Sequence, residues 1–168
     1  MNTVAMVPEF AISIRQPWAW LYLTHKPVEN RTWRIGRQAQ YGSYQTQKGN
    51  FNLELPARVY IHAAKKYLPE DYKAAFNIVY EIYGEDETQW IKAAFLNHLE
   101  VGAIIGEVTI VRQITETDDP LVKPWFTGPY GFLRENPTLY DRPIPCRGEL
   151  GFFRVDMTEI KRRAGIFD

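Results

Sequence analysis

Two short segments carry the side chains best suited to chemistry. The first is Ser13-Ile-Arg-Gln-Pro-Trp-Ala-Trp and the second is Lys26-Pro-Val-Glu-Asn-Arg-Thr-Trp-Arg. They supply Arg15, Gln16, Lys26, Glu29, Asn30 and Arg31, with Trp18 and Trp33 beside them. Asn and Gln have paired donors and acceptors that match a base edge, an indole gives a stacking face, and Lys or Arg meets phosphate. Such a set can bind a nucleobase. The same residues also admit a structural reading, in which Arg31 pairs with Glu29 and the tryptophans fill a core. A Lys26–Glu29 pair supports turnover as well, because a lysine desolvated by Trp18 or Trp33 could lose its proton and act as base or nucleophile. An ionised Lys26 would instead hold a phosphate while Glu29 accepts from a base amino group.

Other candidates lie further along the chain. His62 stands at the end of a strand-like run and is followed by Lys65 and Lys66. The lysines read as a phosphate contact or as a solvated pair, and His62 as a general acid or base or as a hydrogen-bonded structural residue. Trp125 and Tyr130 bracket Gly128-Pro129, and serve either as a stacking lid over a cleft or as core anchors at a strand entrance. Glu107 lies inside an apolar run. It either faces outward or needs a partner such as Arg31 or Lys26.

The elements that must position these residues follow from periodicity and punctuation. Residues 10–15 alternate like a half-buried strand, and Pro17 suits the first turn of a helix continuing through Trp18 to His25. Residues 29–34 read as extended, and 35–56, rich in Gly, Gln and Asn, as an irregular insertion. Residues 57–64 form the next strand. A helix opens at Pro69 with acids in its first turn, Gly84 breaks it, and a second runs from Glu87 to Leu99. The acids of 69–99 read as the solvated face of two surface helices. Residues 102–114 give the strongest strand, and 130–135 and 148–155 two more, with Asn136-Pro137 and Pro143 to Pro145 as turns between them. Thr158 reads as the cap of a short last helix ending at Gly165. About six strands with few helices predict an α+β fold, a small mixed β-barrel with a short N-terminal helix and a helical pair inserted near 69–99. The 168 residues read as a single domain.

Composition narrows the function classes. Twenty Lys+Arg balance twenty Asp+Glu, which argues against coating nucleic acid through bulk charge. The balance is nevertheless segregated. Residues 25–66 carry eight basic groups against two acids, a net of +6, whereas 67–119 carry three against eleven, a net of −8. Such a chain can still present one basic face, provided that the acidic helices pack away from it. Cys146 is the only cysteine and the histidines at 25, 62 and 98 lack metal-ligand spacing, so neither a disulfide, a metal nor a cofactor is expected. No apolar run approaches the length of a membrane span, and no signal peptide is evident, so the chain reads as cytoplasmic.

Five motifs in series carry a family resemblance: Ser-Ile-Arg-Gln-Pro-Trp-Ala, Lys-x-x-Glu-Asn-Arg-Thr-Trp, Ile-His-Ala-Ala-Lys-Lys, Ile-Ile-Gly-Glu-Val and Gly-Pro-Tyr-Gly-Phe. Running from about Ala11 to Phe153, they resemble an ASCH domain, of the PUA-like superfamily. The resemblance implies a PUA-like β-barrel whose cleft is lined by the Lys-x-x-Glu-x-Arg motif, and association with RNA or a modified nucleotide. DNA stays within the same ligand chemistry. Some small members are amidohydrolases acting on acetylated cytidine, through the motif lysine with a threonine and a glutamate, and others are linked to ribonuclease activity. In this chain the motif lysine matches Lys26, and the hydrolase threonine matches Glu29. A carboxylate cannot donate as a hydroxyl does, which weakens the hydrolase assignment and favours a binding module. Hydrolysis by Lys26 and Glu29, and a module that binds only protein, remain the alternatives. The family's glycine two residues before the lysine is Thr24 here.

Overall fold

The structure is a computed structural model that describes residues 6–35 and 53–167. Most of the expected irregular insertion, 36–52, lies outside the described residues.

The Phe-Ala-Ile-Ser-Ile run forms β1 (Phe10–Ile14), and it is buried on both faces rather than one. Phe10, Ile12 and Ile14 enter a core with Val59, Ile61, Val108, Ile110 and Phe132. Ala11 turns the other way, against Tyr60, Ile104 and Phe153. The remaining strands are β2 (Val28–Arg31), β3 (Ala57–Ala63), β4 (Ala103–Ile114), β5 (Tyr130–Pro145) and β6 (Phe152–Arg154). They form one six-stranded mixed sheet, in the order β2-β5-β4-β3-β1-β6, curled into a half-barrel. β1 and β3 run parallel, with Ser13 opposite His62. The other pairs are antiparallel.

With the helices α1 (Trp18–Tyr22), α2 (Pro69–Phe95) and α3 (Met157–Arg163), the fold is α+β, as the sequence predicts. α2 is a helical pair broken at Gly84, whose φ of +83° is a conformation that residues with a Cβ rarely adopt. Its inner face joins Trp20 and Leu21 of α1 in a second core with Ala75, Phe76, Val79, Phe95 and Trp125. Burying a side chain such as Phe95 stabilises the fold by about 1.5–3 kcal/mol, enough for these rings to hold α2 against α1. Among the described residues no helix is long and apolar enough to cross a membrane.

Two local expectations differ from the structure. Asn136-Pro137 and Pro143 to Pro145 do not end a strand but lie within the sixteen-residue β5. Asn136 takes a φ of +49° beside register shifts against β4, so the strand bends there without terminating. The last helix is capped by Asp156, whose carboxylate accepts from the Glu159 amide at 3.1 Å, rather than by Thr158.

Candidate functional site

α1 ends in a tight turn. The Leu21 carbonyl accepts from the amides of Thr24, His25 and Lys26 at 3.1, 2.8 and 2.7 Å, which reverses the chain into β2 and fixes Lys26 at its entrance. Along β2, alternate residues share a face, so Glu29 and Arg31 project together while Asn30 projects the opposite way. Lys26 Nζ donates to Glu29 Oε1 at 3.1 Å, and Arg31 Nε to Oε2 at 3.1 Å. Arg31 Nη2 also donates to the Ser13 carbonyl, at 2.9 Å, tying β2 to β1.

The side chains of Lys26, Glu29 and Arg31 are only 3, 7 and 20% exposed. One carboxylate thus stands between two cations, nearly out of water. Burial pushes Glu29 upward, but Lys26 and Arg31 outweigh it and hold the carboxyl below its ordinary value. Burial draws the Lys26 ammonium below the ordinary lysine value, with Glu29 working against it.

Around this triad stand the tryptophans. Lys26 Nζ lies 5.1 Å from the Trp18 ring centroid, and the Arg31 guanidinium 5.6 Å from that of Trp33. Trp18 donates its indole N–H to Asp71 Oδ1 at 3.2 Å, and Arg15 Nε donates to Asp71 Oδ2 at 2.7 Å. Those hydrogen bonds overcome the upward push of burial and keep Asp71 below its ordinary value. Trp18 and Trp33 are each half-buried and open onto a cleft of about 570 Å³, with Lys26, Glu29 and Arg31 in its lining. That volume lies within the roughly 300–1,000 Å³ of small-molecule sites. Trp125, only 2% exposed, supplies another wall.

Asn30 fixes that wall. Its Nδ2 donates to the Trp125 carbonyl at 2.9 Å, and its Oδ1 accepts from the Thr127 and Gly128 amides at 2.9 and 3.2 Å. The segment expected as a lid is thereby pinned, and Trp125 is packed in the core behind it. Tyr130 is half-buried against the main core and carries the Arg34 guanidinium 5.6 Å from its ring centroid. It does not line the cleft.

The structure gathers some of the sequence candidates and leaves others apart. Arg15, Trp18, Lys26, Glu29, Asn30, Arg31, Trp33 and Trp125 converge on the cleft. Gln16 does not, because its amide accepts from the Trp20 amide and donates to the His98 and Glu100 carbonyls. His62, Lys65 and Lys66 line a second, adjoining hollow. Glu107 pairs with Arg58 at 2.8 Å, and accepts from the Tyr140 hydroxyl, rather than meeting Arg31 or Lys26.

Two contributors were not singled out in the sequence, Asp71 and Ser13. Asp71 belongs to the acids expected on a solvated face, but the first half of α2 packs over the cleft and places Ala74 and Ile78 in its wall. The condition for a basic face is therefore not met at this cleft, where Asp71 answers Arg15. Ser13 alternates toward the face of β1 that meets His62, and its Oγ lies 2.8 Å from His62 Nδ1.

No protein-family model and no curated protein matches the sequence. Among solved structures, the chain is similar to the ASCH protein of Zymomonas mobilis, at 14% identity over 94% of each chain, with a TM-score of 0.46. It is similar also to two single-residue variants of that protein, at 14% identity over 95% of this chain and 98% of theirs, with TM-scores of 0.46 and 0.44.

Proposed function

We propose that the cleft receives the base of a nucleotide and that the protein is a nucleic-acid-binding module, with RNA or a modified nucleotide as its ligand. The observation that carries this reading is the buried Lys26–Glu29–Arg31 triad between two half-exposed indoles. Trp18 and Trp33 offer planar stacking surfaces, and the Arg31 guanidinium adds a plane of its own. Lys26 and Arg31 offer donors to a base carbonyl or phosphate oxygen, and Glu29 accepts from a ring or amino N–H. A polar base edge then meets partners whose positions are already fixed, so little ordering is required on binding.

Titrating the tryptophan fluorescence with a mixed-sequence single-stranded RNA, at two salt concentrations, tests the reading. A saturable change that weakens with salt is expected. A signal indifferent to both RNA and salt would defeat it.

Hydrolysis is the second reading, and it draws on Lys26, whose burial lowers its proton affinity. The pairing of Lys26 with an ionised Glu29 favours the protonated ammonium, which is a binding group rather than a base. Incubation with acetylcytidine and with short RNA, followed by product chromatography, separates the two. Product that disappears in Lys26→Met would replace binding with turnover.

A further inference from the structure

Beside the cleft lies a second hollow of about 890 Å³, and the two share Ser13, Arg15 and Arg31 in their lining. Arg15 and Arg31 thus form a common wall between them. The first compartment is aromatic and internally neutralised. The second is neither. Its lining adds Lys65 and Lys66 from the end of β3, and Arg147 from the segment joining β5 to β6, against one acid, Glu149. Lys65, Lys66 and Arg147 are exposed, and none has an ion-pair partner among the described residues. The basic face that the +6 block foreshadows therefore lies here, away from the acids of α2.

The segment that bears Arg147 is held in place. The Cys146 amide donates to the Gly102 carbonyl at 3.1 Å, and the Cys146 carbonyl lies 2.7 Å from His62 Nε2. A carbonyl can only accept, so Nε2 carries the proton. Burial lowers the proton affinity of His62, and in the neutral ring Nδ1 must then accept from the Ser13 hydroxyl. Gly148 lies flat on this pair, where a Cβ would stand 2.5 Å from His62 Cε1 and 2.9 Å from Ser13 Oγ. Ser13, His62 and Cys146 form a clasp, and it holds Arg147 across from the two lysines.

We infer that the ligand is a single strand of at least two nucleotides, with one base in the aromatic cleft and a neighbouring phosphate in this adjoining basic hollow. The inference rests on the nucleotide-binding reading of the cleft and adds to it that a phosphodiester chain crosses the wall formed by Arg15 and Arg31. Lys65, Lys66 and Arg147 hold the phosphate by charge, independently of base identity.

The test compares wild type, Lys65→Gln/Lys66→Gln/Arg147→Gln and Lys26→Met. The probes are a fluorescein-labelled mixed-sequence RNA 10-mer, a DNA 10-mer of the same sequence, and an equimolar mixture of the four ribonucleoside monophosphates. The triple variant is expected to bind the 10-mers roughly tenfold or more weakly. Its slope of log affinity against log salt should be shallower by about 2, since each lost phosphate contact on a single strand removes about 0.7. Binding of the monophosphates should stay as in wild type. The RNA and DNA arms identify which strand is preferred. A triple variant that binds both 10-mers with wild-type affinity and slope, while Lys26→Met loses them, overturns this inference and leaves the cleft reading standing. Wild-type protein that binds neither 10-mers nor monophosphates overturns both.

Discussion

Replacing Glu29 by Gln removes the one anion between two buried cations while nearly keeping its shape. Lys26 and Arg31 then face each other across a neutral amide, with side chains 3 and 20% exposed. Their repulsion is not screened as it would be at the surface. Two unit charges at about 4 Å interact by about 4 kcal/mol at the effective dielectric of a protein edge, so the two lost attractions outweigh any single hydrogen bond that Gln retains. Breaking a buried pair by removing one partner costs about 3–5 kcal/mol. Because the amide oxygen still accepts from one cation, the loss expected for Glu29→Gln is about 3 kcal/mol. For a chain of 168 residues this lowers Tm by roughly 6–12 °C. Lys26→Met leaves Glu29 with Arg31 and fills the same space with an apolar chain, so its expected cost is under about 1 kcal/mol. The double variant should then recover about 2 kcal/mol of the Glu29→Gln loss, because its one remaining cation has nothing to repel. Urea unfolding of all four proteins, followed by circular dichroism, measures these differences at constant m-value. If Glu29→Gln unfolds within about 1 kcal/mol of wild type, or the double variant is no more stable than the single, the triad is not held by charge compensation.

Three other outcomes follow from the same geometry. Burial holds the proton affinities of His62 and His25 below the usual value of 6.5, so both are neutral in the fold and take up protons more readily when unfolded. Their contribution to stability is present above pH 6.5 and lost as pH falls through their folded values, while Glu29 and Asp71, also depressed, add a loss below about 4.5; a denaturation midpoint flat from pH 7 to 4 would contradict this. Asn30→Ala removes three hydrogen bonds to the segment from Trp125 to Gly128, which should cost about 2 kcal/mol and raise hydrogen exchange at the Thr127 and Gly128 amides, whereas unchanged exchange would mean that the wall stands without Asn30. Gly148→Ala drives a methyl into His62 and Ser13, so that the segment bearing Arg147 must shift; a loss of about 1–3 kcal/mol with weaker RNA binding is expected, and wild-type values for both would show that the clasp does not position Arg147.

The centre of the site was legible because it is local. Lys26, Glu29 and Arg31 lie within six residues, and the strand period of two is enough to put the last two on one face. Trp18 and Trp33 flank the same span, and Pro17 marks the helix between them. What could not be read depends on packing between distant segments. The acids of α2 follow a helical pattern that predicts solvent exposure, and nothing in that pattern reveals that Asp71 turns toward Arg15 and Trp18. Asn30 has the donor and acceptor pattern of a base reader, but the segment that occupies it begins 95 residues further on. Arg147 had no local context at all, and only the contact of Cys146 with His62 brings it beside Lys65 and Lys66. In β5, the proline and asparagine that signal a turn were absorbed by a bend, because pairing on both sides of them continues.

The central claim is that the cleft floor of Lys26, Glu29 and Arg31 binds a nucleotide. Equilibrium binding of a labelled mixed-sequence single-stranded RNA 10-mer by wild type and by Lys26→Met, at matched salt, tests it most directly. A hydrogen bond to a charged group contributes about 1.5–3 kcal/mol, so Lys26→Met should bind roughly 10–150-fold more weakly while unfolding at nearly the wild-type urea concentration. Equal affinity in the two proteins would contradict the claim.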